Sequence, residues 1–249
     1  MYAVISDIHG NLEAFQAVLE DIPEEVEEIY CLGDVIGYGA SPNGCCDLVR
    51  ELQIPLITGN HDLAVTDLST DLAWFNPVAA RAVEWTREQL SDDNADFLLS
   101  RLRTMQGHGA LFVHGSVRDP DEYILDSVTA EENISLLKSE YPEAPVCFFG
   151  HTHVKAIAPF PRTQTPIAPS EPVDLSEGGP YLVNPGSVGQ PRDGDTFASY
   201  VLAEATEPEA KNPPRIAYRF VGYDLRQAQD RIRQAGLPGM LADRLAAGR

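Results

Sequence analysis

The chain has 249 residues, room for one large α/β domain or two small ones, and 43% of them are apolar, enough for a sizeable core. Acidic residues outnumber basic ones 38 to 18, for a formal net charge of −20; such a surface repels nucleic acid and anionic membranes at long range while admitting a small anionic substrate held by local cations. No basic start with an apolar run behind it opens the sequence, and no apolar run approaches the ~20 residues of a membrane span, so a cytoplasmic protein with no membrane association and no stable nucleic-acid complex is expected.

Residues 2–5, Tyr-Ala-Val-Ile, form an apolar, β-leaning run that reads as a buried central strand. The strand gives way to Ser6-Asp7-Ile8-His9-Gly10-Asn11. On an extended chain Asp7 and His9 point to the same side, where an acid and an imidazole can share one metal ion; a helix-capping turn with two incidental polar groups is the alternative. Gly10 permits a sharp turn, and Asn11 can cap a helix over 11–21 that buries Leu12, Phe15, Val18 and Leu19. A second strand over 29–32 ends at Gly33-Asp34, and a glycine-rich turn leads to a helix over 45–52. A third strand over 54–57 ends at Thr58-Gly59-Asn60-His61-Asp62. In open α/β sheets, sites form at the carboxyl edge of the strands.

Residues 66 to about 105 break this rhythm. Asn76-Pro77 starts one helix and Ser91 caps another that runs through Arg101 and buries Phe97, Leu98 and Leu102, the pair packing beside or over the sheet edge. A strand over 110–113 ends at His114, and a helix occupies 131–140. A strand over 146–149 ends at Gly150-His151-Thr152-His153. Residues 154–158 are expected to begin a separate antiparallel sheet and 159–180 to form a long hairpin loop. Residues 181–183 lead into Asn184-Pro185-Gly186-Ser187. Residues 197–202 and 216–221 alternate like a hairpin joined by a mobile acidic segment, 203–214, and Asp224 caps the first of two closing helices. Cys31 and Cys147 read as buried hydrophobes, Cys45 and Cys46 are adjacent, and the absence of any CxxC spacing argues against a cysteine zinc site.

Asp7, His9, Asp34, Asn60, His61, His114, His151 and His153 thus all fall at predicted strand ends. Five of the six histidines are among them, with only His108 outside. A scatter of structural histidines would not gather this way. The donor set is nitrogen and oxygen without thiolate, suited to divalent Mn, Fe, Zn, Co or Ni and too rich in imidazole for Mg or Ca.

Asp7-Ile8-His9, Gly33-Asp34, Gly59-Asn60-His61-Asp62, His114 and Gly150-His151-Thr152-His153 resemble, in that order, the five motifs of the calcineurin-like metallophosphoesterases. Asn184-Pro185-Gly186-Ser187-Val188 followed by Arg192 is similar to the compact bacterial and archaeal phosphodiesterase branch. The resemblance implies an α/β fold, a calcineurin-like four-layer sandwich of two mixed β-sheets flanked by helices. Residues 1–249 would form a single domain with a helical insertion at about 66–105 and an antiparallel C-terminal part from about 154. It implies two divalent ions, manganese first, one held by Asp7, His9, Asp34 and His153 and the other by Asp34, Asn60, His114 and His151. Asp34 could span ions ~3.5–4 Å apart with its two oxygens, and a hydroxide bridging them would attack phosphorus. His61 stands where the family assists the leaving group or positions the phosphate; Asp62 would orient its imidazole or cap the helix.

Departures from the resemblance set the expected substrate, a small phosphorylated molecule. The run Asp34-Val35-Ile36-Gly37-Tyr38-Gly39 lacks the Asp and Arg that the family's serine/threonine protein phosphatases carry there, and Thr58 stands in place of another arginine. Hydrolysis of phosphodiester or nucleotide polyphosphate bonds is therefore expected. A phosphoprotein phosphatase is the alternative within enzymes, and a non-catalytic metal-binding scaffold the alternative outside them. Arg192 is expected to grip phosphate, or else to pair with Asp193 or Asp195. Arg81 could reach over the site or lie on a solvated helix face, Tyr38 could stack on a base or pack in its loop, and Asn11 completes the substrate-side candidates.

Overall fold

The computed structural model describes residues 1–159, 167–169, 171–175, 179–204 and 214–249. In chain order its elements are β1 (Tyr2–Ile5), α1 (Leu12–Asp21), β2 (Glu28–Cys31), α2 (Pro42–Glu51), α3 (Asn60–Thr66), α4 (Pro77–Gln89), α5 (Asp92–Leu99), β3 (Thr104–Gly107), β4 (Ala110–Val113), α6 (Ser127–Glu140), β5 (Val146–Phe148), β6 (Ala156–Ala158), β7 (Pro172–Asp174), β8 (Tyr181–Asn184), β9 (Ala198–Ala203), β10 (Arg215–Val221), α7 (Leu225–Gln234) and α8 (Gly239–Ala247).

Alternation along β1 sets the layering. Ala3 and Ile5 face one apolar cluster with Phe15 and Val18 of α1 and Cys45 and Val49 of α2, while Tyr2 and Val4 face another with Phe112, Phe148, Val183 and Tyr218. A strand apolar on both faces belongs between two layers. The second cluster is the seam between two five-stranded sheets, ordered β2-β1-β9-β10-β7 and β3-β4-β5-β8-β6. α6 closes the far face of the second sheet through Ala130, Ile134 and Leu137. The fold is thus the mixed α/β sandwich of two sheets between helices. The helix starts follow their caps: Asn11, Asn76, Ser91 and Asp224 each accept a backbone N–H of the first turn.

Five expectations change. The strand over 54–57 is reduced to isolated parallel bridges, Cys31 with Leu56 and Ile57 with Leu102, because Pro55 has no N–H to extend a ladder and the chain leaves β2 to donate from Thr58 to the Leu102 carbonyl (2.8 Å). Leu102, expected to be buried, is 65% exposed, since α5 ends at Leu99. The range 66–105 runs into a strand, β3, that pairs antiparallel with β4. β6 begins no sheet of its own. β8 lies between β5 and β6, parallel to the first and antiparallel to the second. Of the expected loop over 159–180, residues 172–174 form β7 against β10, and 160–166, 170 and 176–178 lie outside the described residues, as do 205–213 of the expected mobile connection.

Candidate metal centre

Six loops meet at one edge of the sandwich, sewn together by backbone hydrogen bonds. The N–H groups of Asp7, His9 and Gly10 donate to the carbonyls of Gly33, Asp34 and Val35 (3.1, 2.8 and 2.8 Å). Gly150 donates to His114, Val188 to Ser6, Gly189 to Asp7 and Arg192 to His153 (2.8, 2.9, 2.9 and 3.1 Å). α4 supports two of these loops from outside. Thr86 Oγ1 donates to the Gly37 carbonyl (3.1 Å), and the Arg87 guanidinium caps α3 at the Ala64 carbonyl (2.6 and 3.0 Å).

The local backbone is not the extended chain expected at Asp7 and His9. Asp7, His9, Asp34, His151 and His153 all take left-handed φ values, between 50° and 64°. Each such residue costs about 1–3 kcal/mol, and such conformations gather at functional sites. The motif glycines are required by crowding: a Cβ on Gly59 would strike Asp34 Oδ1, and one on Gly150 would strike Ser6 Oγ and approach Asp7 Oδ2 to 2.9 Å.

Two buried groups result, Asp7 with His9 and His153, and Asp34 with His114 and His151, and each could hold a metal ion. His153 Nε2 lies 3.4 Å from Asp7 Oδ1 and 3.1 Å from His9 Nε2. Asp34 Oδ1 accepts the His61 N–H (2.8 Å). Asp34 Oδ2 is left between the groups, 3.5 Å from His9 Nε2 and 3.4 Å from His114 Nε2. One carboxylate oxygen, rather than both, therefore faces the two groups. Asn60 Oδ1 stands 3.1 Å from His114 Nε2.

The chemistry of this donor set fits cations. Asp7 Oδ1 and Asp34 Oδ2 are buried with no hydrogen-bond partner. The far ring nitrogens of His9, His114, His153 and His151 lie against the carbonyls of Ile36, Leu32, Gln190 and Asp121 (3.1, 2.8, 2.6 and 3.2 Å), the outer contact that fixes the tautomer of a metal-binding imidazole. Burial lowers His9 and His153 well below the usual imidazole range and His151 to about 3, keeping these rings neutral with lone pairs turned inward. Burial raises Asp7 to about 7. At His114 burial is outweighed by the Asp34 and Asp7 carboxylates, which hold it up at about 10, so the carboxylates call for positive charge at that point.

The remaining expected residues divide. His61 is 4% exposed and its Nε2 lies 3.1 Å from the Tyr38 hydroxyl; its ring packs on those of His9, Tyr38 and Phe75. Of the two parts expected of Asp62, orienting that ring or capping the helix, the structure shows the cap: its carboxylate accepts the N–H groups of Asp34, Gly59 and Ile36 (2.8, 3.1 and 3.2 Å), closing the start of α3 onto the Asp34 loop. Arg192 does not pair with Asp193 or Asp195, which Lys155 takes (2.7 and 3.7 Å). Its guanidinium donates to Gln190 Oε1 (3.0 and 3.3 Å), lies 5.6 Å from the Tyr38 ring centre, and its charge acts on Asp7, His9, His61 and His153. Two residues counted on the substrate side take the other part expected of them, Arg81 a solvated helix face and Asn11 a helix cap. Arg81 is exposed and pairs with Glu84 (3.3 Å) on the outer face of α4. Asn11 is buried with its amide engaged at both ends, by Ala14 N–H and the Gly189 carbonyl. Tyr123 and Phe75, against His151 and His61, carry no motif that would have marked them; Gln190 stands in the 184–192 run beside Arg192.

The calcineurin-like phosphoesterase superfamily domain is matched over residues 1–207. An uncharacterised protein of Methanocaldococcus jannaschii is 36% identical over 258 residues, covering 100% of this chain and 98% of that protein. A metallophosphoesterase from Sphaerobacter thermophilus has a crystal structure similar at TM-score 0.80 and 38% identity, covering 100% and 98% of the two chains. A hypothetical protein from Pyrococcus horikoshii shares the fold at TM-score 0.79 and 21% identity, with the same coverage.

Proposed function

The chain belongs to the calcineurin-like phosphoesterase superfamily and is a metal-dependent phosphoesterase, and from that premise we propose that it is a two-metal hydrolase of phosphodiester or nucleotide polyphosphate bonds. The observation that carries the reading is the pair of buried, unpartnered carboxylate oxygens, Asp7 Oδ1 and Asp34 Oδ2, turned toward inward imidazole nitrogens. Asp7, His9, Asp34 and His153 would hold one ion, and Asp34, Asn60, His114 and His151 the other. When bound, two divalent ions, manganese first with Fe, Zn, Co or Ni also suited to these donors, neutralise phosphate charge and acidify the water that attacks phosphorus.

The chain's own groups supply the rest. Arg192, free of a carboxylate partner, holds a phosphate oxygen by charge-assisted hydrogen bonds. His61, its Nε2 3.1 Å from the Tyr38 hydroxyl, would assist the departing oxygen or position the phosphate. The run Val35-Ile36-Gly37-Tyr38-Gly39 after Asp34, and Thr58, bring no charge to the places where a protein phosphatase would grip a phosphoprotein, which favours a small substrate. All four cysteines are unpaired, which suits a reducing cytoplasm, and among the described residues no helix is long and apolar enough to cross a membrane.

The test is a comparison of kcat/KM on the metal-loaded protein for a phosphomonoester, a phosphodiester, a dinucleoside polyphosphate and a phosphoserine peptide. The diester or the polyphosphate should lead; a lead for the phosphopeptide overturns the substrate class. Asp34→Ala should lose metal from both positions, and full two-ion occupancy in that variant sinks the ligand assignment.

A further inference from the structure

Tyr123 is 48% exposed, yet it is not a loose surface side chain. One face of its ring rests on the imidazole of His151, with centroids 3.9 Å apart and planes 33° from parallel. The loop beneath it is tied at several points. Asp121 turns its carbonyl to His151 Nε2 (3.2 Å) and takes an N–H bond to Asp119 Oδ1 (2.9 Å). Glu122 accepts from Asn133 of α6 (3.0 Å), and Ile124 is buried in the apolar cluster under that helix. The charge of Arg192 reaches the Tyr123 hydroxyl. A tyrosine on a fixed backbone, with its ring seated on His151 and about half of the residue exposed, loses little freedom when a ligand lies on it.

Its position gives it a side of the substrate. His61 packs on His9, in the group with Asp7 and His153, whereas Tyr123 packs on His151, in the group with Asp34 and His114. If His61 faces the departing oxygen, the ring at the other group faces the arm that stays on phosphorus. We propose that Tyr123 is the stacking platform for a planar aromatic ring, such as a nucleobase, carried on the retained arm of the diester. The inference rests on the phosphodiesterase reading and adds a substrate class to it. Base-on-aromatic stacking is commonly worth roughly tenfold or more in affinity and tolerates any planar ring.

Two diesters with the same p-nitrophenolate leaving group separate this from the chemistry: p-nitrophenyl thymidine-5′-phosphate, with a base on the retained arm, and p-nitrophenyl methyl phosphate, without one. With the manganese-loaded full chain, the thymidine ester should have kcat/KM at least about tenfold higher, mainly through KM. Tyr123→Ala should bring the ratio of the two esters toward unity, and Tyr123→Phe should keep it. A wild-type ratio near unity overturns the inference, as does a Tyr123→Ala that slows both esters by one factor and leaves their ratio standing, the mark of a residue that only holds His151. Failure of the wild type to cleave either ester removes the phosphodiesterase reading and this inference with it.

Discussion

Tyr38, and not Asp62, holds the ring of His61: the phenol oxygen lies 3.1 Å from Nε2, while both oxygens of Asp62 are occupied by the backbone N–H groups of Asp34, Gly59 and Ile36. The two substitutions should therefore act differently. Tyr38→Phe removes one hydrogen bond, worth about 0.5–1.5 kcal/mol, so kcat should fall roughly three- to tenfold with metal content unchanged. The fall should be steeper for an alkoxide leaving group than for nitrophenolate, and equal losses on both would reduce Tyr38 to a packing role. His61→Ala should cost about 10²–10⁴-fold and retain metal. Asp62→Asn should instead lower the urea midpoint, by about 1–3 kcal/mol of stability, because an amide nitrogen would face backbone donors.

Arg192 owes its availability to Lys155, which draws off both neighbouring aspartates. Arg192→Ala should lower kcat/KM for a diester by roughly ten- to a hundredfold, the value of a hydrogen bond to a charged group. Arg192→Lys should recover little of it, since an ammonium lacks the planar fork. Steady-state kinetics on the three proteins decide the matter, and an unchanged alanine variant would leave Arg192 as a tie to Gln190.

The meeting of Asp7, His9, Asp34, His114, His151 and His153 was legible because each follows a short apolar run, and the carboxyl ends of packed strands converge. The caps at Asn11, Asn76, Ser91 and Asp224 were legible because their chemistry is local. Pairing over distance was not. Nothing in residues 154–158 tells that β8 will insert beside them, and hydrophobicity alone cannot separate the two bridges of 54–57 from a ladder. Asp62 was legible only as a pair of alternatives, a partner for His61 or a helix cap. An acid beside a histidine suggests a dyad, but on the first turn of α3 its carboxylate is turned toward the free N–H groups of the helix start. Tyr123 was invisible because its role comes from a ring contact between two loops, which no spacing in the chain encodes.

Metal should stabilise the fold as well as serve the reaction. Without cations the centre keeps two buried, unpartnered carboxylate oxygens. Metal at a hundred times its dissociation constant adds about 2.7 kcal/mol per site, or roughly 5–10 °C in a chain of this size. Thermal unfolding with manganese and with excess chelator measures the difference. Asp7→Asn should lose a large part of it, and a Tm indifferent to chelator would refute the metal assignment.

Asp21 provides a pH dependence away from the centre. Burial works to raise its carboxyl, but the Arg219 fork (3.0 and 3.1 Å) and the Tyr200 hydroxyl (2.9 Å) outweigh it and hold the group below its usual 3.8. Because the folded value is depressed, the stabilisation is present above about pH 4 and is lost as pH falls through the folded value. Asp21→Asn should cost about 1 kcal/mol at pH 7, allowing for solvent screening, and its urea midpoint should approach the wild type's toward pH 3. A gap constant from pH 7 to pH 3 would show that the pair is not the cause.

The place of β1 in its sheet has a consequence for synthesis. One neighbour, β2, follows within about 30 residues, but the other, β9, begins about 190 residues later. On a ribosome adding ~5–20 residues per second, one edge of an entirely apolar strand stays open for roughly 10–40 s. Such an edge invites pairing with other chains. The same delay applies to Asp7, whose carbonyl receives the Gly189 N–H only when that residue has emerged. Nascent chains halted at increasing lengths should therefore leave β1 open to protease, and unable to retain manganese, until β9 is out.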